Sequence, residues 1–274
     1  MFAFVLVTAG ANAVVIRSDV PDSQYLVSEN ALPALADLPG EGQGTLIAPR
    51  WVVTAAHATQ GYMLMRVRIH GEWRSVSHVF LYPGFKKDYD KVKQAAEHPS
   101  VKNWPAIKSA FESMHDIALI ELAKPVEGVK PVALYRASNE QGEIVKLFGK
   151  GATGNGKVGE YPHSSHRGQL RRAYNRVTKV HKQWLDYRFD CGSKALALEG
   201  VLGDGDSGGP VLIKVDGEWE LAGLADWKHW PKGHSRFVPG VCGQVFSNSR
   251  ISYYANWINH VIAIHARHVK KPNA

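Results

Sequence analysis

A chain of 274 residues, 45% apolar and 21% charged, is long enough to bury a sizeable core as one large domain or two small ones. Its formal charge of +8 fits either plain solubility or a preference for acidic surfaces, but no basic stripe interleaved with aromatics suggests nucleic acid. Twenty-six glycines and fourteen prolines between short apolar runs argue against a helical bundle and for short strands.

Residues 1–13 form an apolar run that closes on Ala11-Asn12-Ala13, the small-residue arrangement of a signal-peptidase site. A basic leading region is missing, so the segment reads as a signal peptide with a truncated start; a buried first strand is the alternative. It is too short to span a bilayer, and no other run approaches that length, so a soluble, secreted or periplasmic protein is expected.

Strand-like segments follow at 44–48, 51–54, 65–69 and 75–80, several alternating apolar with polar residues as strands with one buried face do. Residues 86–114 break the style with two helical patterns, Lys91 to Glu97 and Ala106 to Glu112. Further strands are expected at 117–121, 144–148, 210–213, 219–223 and 241–246. The chain closes in a helix at about 249–267, capped by Asn248 or Ser249, with Ile251, Tyr254, Ile258, Val261 and Ile262 at helical spacing.

Gly149-Lys150-Gly151-Ala152-Thr153-Gly154 satisfies G-x-G-x-x-G, yet turn residues continue after it, where a phosphate site needs a helix N-terminus. Thirteen histidines include no H-E-x-x-H or comparable ligand pair, so neither metal nor cofactor is expected.

The most specific signal is Gly203-Asp204-Gly205-Asp206-Ser207-Gly208-Gly209-Pro210. A serine on so tight a turn presents its hydroxyl where backbone N–H groups crowd around the oxyanion it creates. The base and its orienting acid are available upstream, His57 after Trp51-Val52-Val53-Thr54-Ala55-Ala56 and Asp116 before Ile117-Ala118-Leu119. At these residues the chain resembles the chymotrypsin/trypsin family, whose motifs are Thr-Ala-Ala-His, Asp-Ile-Ala-Leu and Gly-Asp-Ser-Gly-Gly-Pro. The order His, Asp, Ser is also that family's order.

The resemblance implies an all-β fold of two six-stranded antiparallel β-barrels with a C-terminal helix, the first barrel in residues 14–131 and the second in 132–274. It implies a secreted serine endopeptidase, monomeric, acting on protein or peptide substrates without nucleic acid or membrane. His57, Asp116 and Ser207 would be catalytic, and the N–H groups of Gly205 and Ser207 would form the oxyanion hole. Asp206 would pair with a free ammonium at Val14, although Ile16-Arg17 departs from the glycines usual after such a terminus. Val201 would form the floor of the primary specificity pocket, offering no countercharge for Lys or Arg, so a small or medium apolar side chain is expected there. Asp226, Trp227 and Lys228 would form one wall, Asp226 and Lys228 replacing a serine and a glycine, and Gly240 the other.

The disulfide beside the catalytic histidine is absent at both positions, Gly42 and Ala58. Cys191 and Cys242 map to segments around the pocket, either bridged or as two buried thiols, and so few cysteines suit a bacterial source. The 86–114 insertion would stand beside the cleft or be a surface ornament. The rival functions are a catalytically silent homologue serving as a binding module and an esterase using the same triad.

Overall fold

The computed structural model describes residues 14–162, 164 and 168–269, so the expected leader and residues 270–274 lie outside it. β1 (Val14–Ile16) is followed by β2 (Leu35–Asp37), β3 (Gln43–Ala48), β4 (Trp51–Thr54), β5 (Arg66–Ile69) and β6 (Glu72–Leu81). Two helices, α1 (Phe85–Ala95) and α2 (Trp104–Ser113), intervene before β7 (Ala118–Leu122). The second half contains β8 (Ile144–Gly149), β9 (Thr153–Asn155), β10 (Gly159–Glu160), β11 (Arg171–His181), β12 (Trp184–Arg188) and β13 (Gly200–Val201). β14 (Pro210–Val215), β15 (Glu218–Lys228), β16 (Val245–Arg250) and α3 (Ile251–Val269) complete it.

Strands β2-β3-β4-β7-β6-β5 close into one barrel and β11-β12-β16-β15-β14-β8 into a second. Period-two patterning drives both: in β5, Val67 and Ile69 are buried between exposed Arg66 and Arg68. Each barrel has its own core, and a third cluster, with Trp51, Phe148, Leu221, Tyr254 and Ile258, joins the barrels to α3. β1 belongs with the second half, running parallel to β9 and antiparallel to β13.

Two local expectations are corrected. Residues 241–244 form a turn and the strand starts only at Val245, because Gly240 and Gly243 adopt positive φ (82° and 83°), which strands do not. Asn248 and Ser249 do not cap α3: both lie in β16 with buried side chains, and strand passes directly into helix. The Asn248 amide donates to Leu185 O and the Ser249 hydroxyl to Asp116 O, so these residues tie the helix approach to the barrels.

The inserted helices are anchored to both barrels. Phe85, Val92 and Met114 pack with Ala56 and Ala118 of the first. At the end of α2, the otherwise unpaired carbonyl of Glu112 accepts from Gln183 Nε2 and Trp184 Nε1 of the second. The insertion therefore bridges the cleft between the barrels.

Candidate active site

His57 begins a short helical turn directly after β4, and Asp116 stands just before β7, the strand paired with β4. That pairing brings the two residues together. Asp116 is 0% exposed, accepting from the His57 backbone N–H at 2.8 Å through Oδ1 and contacting Nδ1 at 2.7 Å through Oδ2. The imidazole is 24% exposed. Burial by itself lowers its pKa, but the charge and hydrogen bond of Asp116 outweigh that and raise it above the ordinary value.

Ser207 sits on a turn held by both barrels. Its carbonyl accepts from Gln43 N–H of β3 at 2.7 Å, and the next residue, Gly208, donates to Ala225 O of β15 at 2.8 Å. Ser207, His57 and Asp116 line one cavity. Among the described residues, the N–H groups of Gly205 and Ser207 donate to no acceptor, and Gly205 adopts φ +85°. Two free amides beside a serine hydroxyl fit a developing oxyanion.

Beneath this turn, the fully buried Asp206 accepts from the N–H groups of Lys150 (2.8 Å), Gly151 (2.7 Å) and Gly203 (2.9 Å). Burial pushes its carboxyl up to about 7 even though those amides favour the charged form. A Cβ at Gly149 would meet its Oδ1 at 2.5 Å, and one at Gly151 its Cγ at 2.8 Å. The glycine-rich run that mimics a nucleotide motif is thus explained by close approach to a carboxylate. Val14 lies fully buried alongside Thr153, two residues beyond Gly151. The corner without a disulfide is equally tight: a Cβ on Gly42 would stand 2.8 Å from that of Ala58. Cys191 and Cys242 are bridged, with Cα atoms 5.8 Å apart.

Of the expected pocket residues, Asp226, Trp227 and Lys228 line the cavity beside Ser207. Val201 does not: it pairs with Val15 and is buried in the second-barrel core. Gly240 is also elsewhere, closely packed against Val15 and Glu160. Their places are taken by Leu202, Tyr187 and Phe246, with the two aromatic rings stacked at 5.8 Å. At the mouth, the Lys228 ammonium binds Glu160 and Asp204. Burial disfavours that ammonium, but the two carboxylates outweigh it and keep its pKa above the ordinary range. The remaining cavity is about 30 Å³, room for one or two waters.

A neighbouring cavity of about 560 Å³ opens from the same serine beneath the insertion. Its walls are mainly apolar, including Val92, Trp104, Ile107 and Phe111, and Phe111 stacks on Trp227 at 5.0 Å. Tyr187, Phe246 and Glu160 escape a reading of the sequence because nothing local marks a strand residue as pointing into a pocket. The helical patterns at 91–97 and 106–112 were the available signal for the second cavity.

The Trypsin family model matches residues 25–258. A CLIP domain-containing serine protease B14 of Anopheles gambiae is 27% identical over 252 residues, covering 80% of this chain and 63% of the relative, so the chain spans under two thirds of that protein. Snake venom serine proteinase 14 of Crotalus adamanteus is 28% identical, covering 80% of this chain and 77% of the relative, and mouse tryptase has the same three figures. These relatives are animal proteins and lend no support to a bacterial source. In fold, the chain is similar to neuropsin, a serine protease of mouse brain, with a TM-score of 0.61 at 20% identity, covering 87% of this chain and 98% of that one. With the motifs, the two barrels and the His57–Asp116 contact in agreement, the chain belongs to the trypsin family of serine endopeptidases.

Proposed function

We propose that this chain is a secreted serine endopeptidase that takes glycine or alanine on the acyl side of the scissile bond and reads apolar residues further upstream against its inserted helices. The observation that carries the specificity is the contrast between the two cavities at Ser207, one of about 30 Å³ and one of about 560 Å³. A large side chain finds the first already filled by Tyr187 and Phe246, while an extended peptide has an apolar trough under α1 and α2. Secretion is supported by the venom enzymes among its relatives. Among the described residues, no helix is long and apolar enough to cross a membrane.

In this reading His57 takes the Ser207 proton as the hydroxyl attacks the carbonyl carbon, then delivers it to the leaving amine. Asp116 orients the imidazole and stabilises its cation. The N–H groups of Gly205 and Ser207 bind the oxyanion. The enzyme acts as a monomer on protein or peptide substrates.

Cleavage after Ala13 would place the Val14 ammonium against Asp206. Two observations support this pairing. Among the described residues Asp206 forms no ion pair, and burial pushes its pKa up. Val14 adopts φ +71°, a conformation that β-branched residues rarely hold and that a first residue is free of.

Peptide-library cleavage by the secreted protein, with Ser207→Ala as control, tests the specificity; efficient cutting after arginine or phenylalanine contradicts it. N-terminal sequencing is expected to read Val-Val-Ile-Arg, and one extra residue ahead of Val14 should abolish most activity. Full activity in that extended form contradicts the ion pair.

A further inference from the structure

Asp226 has no part in the chemistry described so far, yet its carboxyl lies directly behind the triad. The side-chain nitrogen and oxygen atoms offered by His57, Asp116 and Asp226 all lie within 4.8 Å of one another. Asp226 Oδ2 is also 2.8 Å from Ser249 Oγ, which is itself 2.9 Å from Asp116 O.

Two carboxylates this close offer only acceptors and repel each other, so the pair holds one proton. Ser249 carries a single hydroxyl proton of its own and does not supply that one. Asp116 already accepts from His57 through both oxygens, whereas Asp226 has only the serine beside it. The proton therefore belongs on Asp226.

We propose that Asp226 is a positioning residue, held as a neutral carboxylic acid that donates its proton to the Asp116 carboxylate. It fixes Asp116 towards His57 without placing a second negative charge behind the imidazole. This rests on the triad reading above. Burial, followed by repulsion from Asp116, holds the Asp226 carboxyl well above the ordinary range, in the same direction. The titratable groups around it are Asp116 and His57, the Tyr254 phenol of α3 and, lining the same cavity, the Tyr89 phenol of α1. Lys228, two residues along β15, is engaged by Glu160 and Asp204. Among these described neighbours, only a protonated His57 would favour an ionised Asp226.

The test follows the second-order rate of inactivation by a fluorophosphonate against pH, which reads Ser207 and His57 without knowledge of the substrate. Asp226→Asn keeps an uncharged donor, so the midpoint of the acid limb should stay at the wild-type value. If Asp226 is ionised in the wild type, removing a charge so close to His57 lowers that midpoint by about 1–3 units, which overturns the proposal. Asp226→Ala, with no donor, should slow inactivation roughly tenfold to a hundredfold, and Asp226→Asn should recover much of that. Equal losses in both variants also overturn it. Should the amide not be accommodated, Asp226→Ser applies the same logic with a hydroxyl donor. Infrared difference spectra between wild type and either uncharged variant should contain a protonated carboxyl band in the wild type alone; its absence counts against the proposal. Failure of the protease reading looks different, because then the wild type is not labelled or Ser207→Ala is labelled as well.

Discussion

Replacing Lys228 by alanine removes the cation from the mouth of the primary pocket and leaves the Glu160 carboxylate behind. The side chains of Lys228 and Glu160 are 12% and 7% exposed, whereas Asp204 is 59% exposed and contributes little as an exposed partner. Breaking a buried pair by deleting one member costs about 3–5 kcal/mol, because the survivor is an uncompensated buried charge. Asp204 N–H still reaches Glu160 Oε2 at 3.3 Å, so the low end, about 3 kcal/mol, is expected. For a chain of this size that corresponds to a fall in Tm of roughly 6–12 °C.

The penalty should also depend on pH. Burial, the largest influence, raises the Glu160 pKa in the fold even with Lys228 present. In Lys228→Ala the folded pKa therefore exceeds the unfolded one, and the fold binds the extra proton in the interval between them. Stability of the variant falls as pH rises through that interval, so its deficit is small near pH 4 and complete near pH 8. Glu160→Gln/Lys228→Ala should recover most of the loss, and thermal unfolding of the four proteins of the cycle at both pH values measures it. A deficit under about 1 kcal/mol, a deficit equal at both pH values, or a double variant as unstable as Lys228→Ala would refute the argument.

Three further outcomes follow from the site. Ser207→Ala and His57→Ala should each cost on the order of 10⁶ in turnover, and the double variant scarcely more; near-additive losses would show that one residue is misassigned. Because His57 works as a neutral base and Asp116 raises its pKa, activity should climb with pH through a midpoint above the ordinary ~6.5, and a midpoint well below that contradicts the Nδ1–Asp116 contact. Cys191→Ser/Cys242→Ser opens a link with a sequence separation of 51, which in the loop-entropy account costs about 4 kcal/mol; urea unfolding that shows no loss would remove the bridge from the list of stabilising features.

Much of the architecture was legible because it is local. Period-two patterning marked strands such as β5, and the three motifs singled out His57, Asp116 and Ser207, which line one cavity. The long strand β11 was not legible, because its inward positions include Arg171 and Asn175, which read as surface residues. Arg171 is tolerated inside because Asp22, 149 residues away, binds its guanidinium at 2.6 and 2.9 Å. Asn248 and Ser249 read as helix caps for the same reason: the partners that make them strand residues, Leu185 and Asp116, are remote in the chain. The pocket was decided in the same way. Family spacing pointed to Val201, but the pairing of β13 with β1 turns that residue into the core and leaves the space to Tyr187 and Phe246 from two other strands. Sequence determined the chemistry, since a triad needs only the right residue types in order on the right turns. Tertiary structure decided what that chemistry can reach, and which acid behind it keeps its proton, because cavity volume and the burial of polar groups depend on neighbours that no local pattern names.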